Sequence, residues 1–358
     1  MSSSGPWTEC TPVPIAAPDS AQPSLAMWRD TLHLVWVRDR VLLHSHRTEQ
    51  GWSEPEKVAT GEQPSLVATP EGRLHLLFAN EFAGNYEIYN VMWNGARWSL
   101  PKNVSRTSGA STNPAAALAP DGTVNVVWED TTPGYPVIYH GQSGEYVWRN
   151  APIPNGRGSC PDLSFTPAGE LLVAWQDRLS STDRHDVFCC VYHDGIWSIP
   201  ETVSDSPGNH SMLPRLASSP LGNSHLVWQE ESGVPFRVLH AEHRGGRWTE
   251  ATDISGTDED CRSPQLAISR QGYIHVIWMQ GSSLHFRVRA PESNAAWRTE
   301  EGTGASGSGQ SGLAAAMGDD GRLFAAWAAY DEADAQNIYE VERAPVLQQS
   351  LFIPMIMR

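Results

Sequence analysis

Two groups of residues in this 358-residue chain are of types that do chemistry when a fold brings them together. The first follows a recurrent aromatic: Glu129 and Asp130 after Trp128, Gln176 and Asp177 after Trp175, Gln229 and Glu230 after Trp228. Gathered around one opening, such carboxylates and amides suit a sugar, a cation or a basic peptide. Two carboxylates of unequal proton affinity would suit glycoside hydrolysis, one protonating the leaving oxygen and the other serving as base or nucleophile; Asp130, Asp162, Asp177 and Glu230 are the candidates. The second group lies beside recurrent prolines: Asp162, Arg215 and Gln265, with Arg262 just ahead of the last. A guanidinium among acids can bind a ligand carboxylate or hold one of those acids in place.

A repeat positions both groups. The segments LHLVWVRD, LHLLFANE, TVNVVWED, LLVAWQDR, SHLVWQEE, IHVIWMQG and LFAAWAAY align on Trp36, Phe78, Trp128, Trp175, Trp228, Trp278 and Trp327. Six residues before each aromatic stands Gly72, Gly122, Gly169, Gly222, Gly272 or Gly321, with Asp30 as the substitute, which predicts a tight hairpin turn. The preceding strand opens at Pro23, Pro64, Pro114, Pro161, Pro214 and Pro264, and at Gly312 in the seventh copy; proline is tolerated at a first strand position because no ladder donor is needed there. A third strand follows each aromatic, and a fourth is marked by Trp52, Trp98, Trp148, Trp197, Trp248 and Trp297.

Four antiparallel strands in each unit of about 45 residues predict an all-β, seven-bladed β-propeller. The seventh unit lacks a fourth strand, and Pro6 to Pro14, with Trp7 in the tryptophan slot, has its pattern. The N-terminus is therefore expected to close the ring and leave no open sheet edge. This makes residues 1–344 one domain, with blades starting near 23, 64, 114, 161, 214, 264 and 312, and residues 345–358 an apolar tail, LFIPMIMR at its end, that packs under a blade or docks elsewhere. The two tryptophan series and Trp7 use 13 of the 15 tryptophans, so packing explains their abundance before any ligand does.

The rhythm resembles that of propellers with sialidase-like, or BNR-like, repeats. The resemblance spans nearly the whole chain and implies the fold more than the activity. Sialidases of that group have six blades and an S-x-D-x-G-x-T-W turn, whereas the corresponding turns here read WNGARW, HDGIW and RGGRW. The arginine triad, the Tyr/Glu pair and the acid/base Asp that such an activity implies do not align.

Several classes are disfavoured. A formal net charge of −16 without a basic patch repels nucleic acid and anionic membranes. Five cysteines without CxxC spacing indicate neither a zinc knuckle nor a disulfide framework. His33, His75, His225 and His275 recur three residues before the aromatic, but equivalent places on separate blades cannot meet at one ion, so they read as core. No phosphate loop, dinucleotide fingerprint, HExxH or Ser-His-Asp spacing is present, and no cofactor is expected. The N-terminus lacks a signal-peptide pattern, which reads as a cytoplasmic chain unless it is a processed form.

In such a blade the second-to-third and blade-to-blade loops open on one face. The residues after the strand-opening positions, Ser24, Ser65, Ala115, Asp162, Arg215, Gln265 and Leu313, are expected at the channel. The expectation is a monomeric, non-catalytic recognition module that binds a glycan or protein partner through exposed acids around the channel mouth, using Glu129, Asp130, Asp162, Gln176, Asp177, Arg215, Gln229, Glu230, Arg262 and Gln265. A glycoside hydrolase with paired carboxylates, and an interaction subunit of a larger complex, are the alternatives.

Overall fold

The structure, a computed structural model, describes residues 7–345 apart from 83, 145–146, 179–183, 207, 232, 234, 258, 293–294, 305–307 and 332. The tail and part of the blade-4 loop at 176–186 lie outside the described residues. All regular structure among those described is β-strand, in seven antiparallel sheets.

The innermost strands are Ser20–Trp28, Glu62–Ala68, Ser111–Leu118, Ser159–Phe165, His210–Ser218, Cys261–Ile268 and Ser308–Met317. Each pairs with a strand carrying the recurrent aromatic, which pairs in turn with a third; outer strands of two to ten residues complete the blades. In blade 7 the outer strand is the N-terminal Thr11–Pro12, with Thr11 opposite Glu340 and Pro12 opposite Tyr339. Trp7 bridges to Arg343 and meets Phe286 of blade 6 edge-to-face at 5.3 Å.

The apolar core lies between blades. Each interface holds two aromatics from one blade set against the preceding blade: Phe78 and Trp98 against blade 1, Trp128 and Trp148 against blade 2, Trp175 and Trp197 against blade 3. Trp228 with Trp248, Trp278 with Trp297, Trp327 with Trp7, and Trp36 with Trp52 continue the series around the ring. The six second-strand tryptophans are at most 2% exposed. The core histidines follow the same logic: His33 bonds His44 at 3.1 Å, and His225 bonds His240 at 3.1 Å.

The prolines do not open their strands. The strands begin earlier, and the register shifts by one residue at all seven equivalent places, between Ala21 and Ser24 in blade 1 and between Arg262 and Gln265 in blade 6, for example. Each proline sits in a β-bulge whose first residue has left-handed backbone: Gln22, Gln63, Asn113, Cys160, Leu213 and Ser263 at φ 50–55°, Gly312 at 63°. Only one of the seven is glycine, so the bulge is held against a backbone preference by packing and hydrogen bonds. In blade 7 the register pairs Ala314 with Ala326, as Ser24 pairs with Val35 in blade 1. Gly312 thus fills the left-handed slot, Leu313 takes the proline's place and Ala314 is the true equivalent of Asp162. The hairpin of blade 1 also differs from expectation, because the left-handed residue is Arg29 at φ 52°, not Asp30.

Candidate functional site

A cavity of about 500 Å³ lies on the ring axis, lined by residues at or just after the bulge of every blade. Ser24, Ser65, Ala115, Asp162, Arg215, Gln265 and Leu313 all line it, together with Ala314. At the position just after the bulge, blades 1, 2, 3 and 7 place the small side chains of Ser24, Ser65, Ala115 and Ala314. Blades 4, 5 and 6 contribute a carboxylate, a guanidinium and an amide.

Asp162 and Arg215 are the charged side chains of the lining. Burial raises the Asp162 carboxyl above the usual range, opposed by the Arg215 charge and by the N–H groups of Leu216 and Leu163. Leu216 N donates to Asp162 Oδ2 at 2.8 Å, which ties blade 4 to blade 5. Arg215 Nη1 donates to Pro214 O at 2.9 Å, and among the described residues no carboxylate lies within ion-pair distance of its guanidinium. The Gln265 amide has no hydrogen-bond partner among them either. Cys160, in the left-handed slot of blade 4, lines the same wall; burial raises its thiol, with Glu129 adding to the effect and Arg215 opposing it.

The remaining candidates are elsewhere, and several are committed to the scaffold. Asp130, expected at an exposed mouth, is fully buried: Oδ2 accepts from Thr107 Oγ1 at 2.7 Å, Ser111 Oγ at 2.8 Å and Trp128 Nε1 at 3.3 Å, while Oδ1 accepts from Thr132 N at 2.8 Å. Glu230 is 5% exposed and accepts from Asn209 Nδ2, Ser211 Oγ and Trp228 Nε1 at 3.0, 3.0 and 3.4 Å. In blade 6, Gln280 takes the Trp278 indole N–H at 3.3 Å in the same way. The acid or amide two residues beyond the tryptophan thus satisfies a buried indole and an inner-strand side chain. A buried donor left unmet costs about 1–3 kcal/mol, which is reason enough for the recurrent acids.

The amides one residue beyond the tryptophan clasp the next blade. Gln176 Oε1 accepts from Leu213 N at 2.8 Å, and Gln229 Oε1 from Ser263 N at 3.0 Å, each capping the N–H of a bulge. In blades 1 and 2 the bulge residue does this itself, Gln22 taking Gln63 N at 2.6 Å and Gln63 taking Asn113 N at 2.9 Å. Glu129 accepts from Asn113 Nδ2 at 3.1 Å. Asp177 accepts from Arg178 N at 2.7 Å and lies 3.7 Å from Arg157. Arg262 pairs with Asp260 at 2.5 Å and stacks over Phe236 at 4.0 Å. Gln176, Gln229, Glu129, Asp177 and Arg262 do not line the cavity. Sequence reasoning missed Gln63, Asn113 and Cys160 as lining residues; their signal is the position directly before each repeat proline. Among the described residues no cluster of three His, Cys, Asp or Glu side chains has metal-binding geometry.

No protein-family model matches the chain, and no curated protein matches it in sequence. Solved structures do. A polysaccharide lyase, the PL25 ulvan lyase, superposes with a TM-score of 0.67 at 11% identity, over 94% of this chain and 97% of that one. The GH93 α-L-arabinofuranosidase of Fusarium graminearum gives 0.56 at 15% identity, over 78% and 92%. A leech intramolecular trans-sialidase gives 0.51 at 12% identity, over 96% and 70%. At these identities the likeness is one of fold: the chain is a seven-bladed β-propeller whose neighbours include sialidase-like and polysaccharide lyase propellers.

Proposed function

We propose that this propeller is a non-catalytic recognition module that takes the end of a glycan into its axial cavity. The observation that carries the reading is the cavity wall of blades 4–6, which Asp162, Arg215 and Gln265 line together and where the Arg215 guanidinium makes no direct ion pair among the described residues. A concave site with a few converging polar groups is the usual form of a small-ligand site. Three neighbours of this fold are a polysaccharide lyase, an arabinofuranosidase and a trans-sialidase, which puts glycans ahead of peptides as the first ligands to try.

Binding is favoured over hydrolysis because Asp162 is the one carboxylate in the described lining, whereas Asp130 and Glu230 are saturated by the scaffold's own donors. A glycosidase needs two carboxylates facing one bond. The reading is tested by screening the purified chain on a glycan array and on fluorogenic glycosides. Binding without turnover, lost in Arg215→Ala at unchanged melting temperature, is the expected result. Turnover that survives Asp130→Asn and Glu230→Gln but fails in Asp162→Asn would replace the reading with an enzyme.

A further inference from the structure

The wall of the axial cavity is not uniform in hydrogen-bonding sense. At one level of the ring, the inner-strand residues Leu25, Leu66, Ala116, Leu163, Leu216, Leu266 and Ala315 occupy equivalent register positions, each opposite the residue two before the recurrent aromatic. In three of them the backbone N–H is met by a side chain of the preceding blade: Leu66 by Ser24 Oγ at 3.0 Å, Ala116 by Ser65 Oγ at 3.0 Å and Leu216 by Asp162 Oδ2 at 2.8 Å. Leu163 N lies close enough to the carboxylate of its own neighbour, Asp162, to favour its charge.

The other three lie on consecutive blades and differ. Before Leu266 stands Arg215, which has donors only; before Ala315 stands Gln265, which makes no such bond; before Leu25 stands Ala314, which has no polar atom. Among the described residues no side chain accepts from these three N–H groups, and all three residues line the cavity. Around the arc from blade 2 through blade 5 these N–H groups are therefore met from within. Blades 6, 7 and 1 present theirs as donors, the N–H groups of Leu266, Ala315 and Leu25, beside the Gln265 amide and the Arg215 guanidinium that reaches in from blade 5. Unmet backbone N–H groups beside a guanidinium make an anion site.

We infer that this arc is a carboxylate subsite and that the ligand is a glycan ending in an acidic sugar, a conclusion that rests on the glycan reading above. The carboxylate sits against Arg215 and the uncapped N–H of Leu266, whose preceding-blade neighbour Arg215 is, and ring hydroxyls turn to Asp162, the Gln265 amide and the N–H groups further round the arc. The net charge of −16 opposes entry of a polyanion and favours a single acid at the ligand's tip. A cavity of about 500 Å³ has room for such a terminal sugar.

The experiment titrates the full-length chain by calorimetry or ligand-observed NMR with three probes of one shape: methyl glucuronoside, its methyl ester and methyl glucoside. The acid should bind at least about tenfold more tightly than either neutral probe, the difference expected for a charged hydrogen bond to a carboxylate. Arg215→Met should erase that preference, and Arg215→Lys should keep part of it because the charge remains without the fork of donors. A melting curve for each variant excludes misfolding as the cause. Equal affinity for the acid and the neutral probes, or an acid preference that survives Arg215→Met, overturns the carboxylate subsite while leaving glycan recognition in place. Absence of binding by all three probes and by a glycan array overturns both readings. Binding of short acidic peptides instead of sugars keeps a carboxylate subsite but refutes the acidic-sugar ligand.

Discussion

Asp130 and Asp162 are both taken out of bulk water, and the difference between them separates the clefts between blades from the axial cavity. Asp130 is fully buried and accepts four hydrogen bonds, from a threonine, a serine, an indole and a backbone N–H. Nothing remains for a ligand. Asp162 accepts from Leu216 N, faces a cavity and shares it with an arginine whose charge acts on it without a direct ion pair. Where every lone pair is met from within, an acid is scaffold; where donors and acceptors are left over beside empty space, recognition has something to use. The position of an acid on a strand does not by itself tell the two apart.

If the clefts between blades hold their polar groups in one fixed, saturated state, acid should break them first, and this is the largest effect expected. Burial lowers the histidines of that region, His33, His225 and His275 to about 3 and His140 to about 4. Because these folded values lie below the unfolded value near 6.5, the unfolded chain takes up more protons as pH falls. Their contribution is intact above about 6.5 and is lost progressively below it, at about 1.4 kcal/mol per pH unit for each histidine. Four such groups exceed ordinary domain stability within two or three units. Thermal melts from pH 7.5 to 4 should therefore show a steep fall in Tm below pH 6, reduced in His225→Gln. A flat profile would mean that the histidines are not held neutral in the fold.

Next in size is Asp130→Asn. The amide turns a donor toward a region that already holds the Trp128 indole N–H, so at least one buried donor is left unmet. The expected loss is about 2–4 kcal/mol, read by chemical denaturation. Glu230→Gln should behave in the same way. A loss below about 0.5 kcal/mol in both would return these acids to the class of exposed, ligand-facing groups.

A smaller effect sharpens the comparison within the clefts themselves. Trp128 has an acceptor for its indole N–H, whereas Trp36 and Trp327 are buried with that N–H unmet, since Arg38 and Ala329 stand where the other blades place an acid or amide. Trp128→Phe loses apolar volume and leaves Asp130 short of a donor; Trp327→Phe loses the same volume but removes an orphan. Trp128→Phe should be the more destabilising by about 1 kcal/mol. Equal losses would show that the indole bond contributes nothing net.

Much of this architecture is legible in the chain itself. Seven aromatics at a fixed distance from a turn residue give the blade count, because each must fill the same wedge against the preceding blade, and Trp7 gives the closure because a fourth-strand tryptophan was missing from the last blade. The bulge was not legible. A proline three residues into a strand reads like a proline at its start, and only the pairing register shows that an extra residue has been inserted. The one-residue shift in blade 7, where Leu313 takes the proline's place, has the same origin. The acids were visible and their roles were not, because four donors reach Asp130 from three separate segments of the chain, which no local pattern records. The channel residues were found because the bulge repeats: one position in each blade must face the axis, and variation there from Ser to Asp, Arg and Gln is what a uniform scaffold would not need.

The smallest effect is also the one most able to break the comparison. In Asp162→Asn the side-chain oxygen can still accept from Leu216 N, so the tie between blades 4 and 5 is kept and only the charge is removed. Burial raises the folded carboxyl above its unfolded value, so this group contributes stability that is complete below about pH 4 and is lost as pH rises through the folded value. Ionising this carboxyl therefore works against the fold, offset in part by Arg215. The variant should accordingly match the parent, or exceed it by less than about 1 kcal/mol, at pH 7, and lose that small advantage near pH 3.5. The histidines titrate in both proteins and cancel in the difference, so paired melts across that range isolate Asp162 as long as both remain folded; denaturant curves at pH 7 and 5 serve where they do not. A variant less stable than the parent by 2 kcal/mol or more at pH 7 would make Asp162 and Arg215 a structural ion pair. The axial wall would then be scaffold in the same sense as Asp130, and the cavity would lose its claim to be a site.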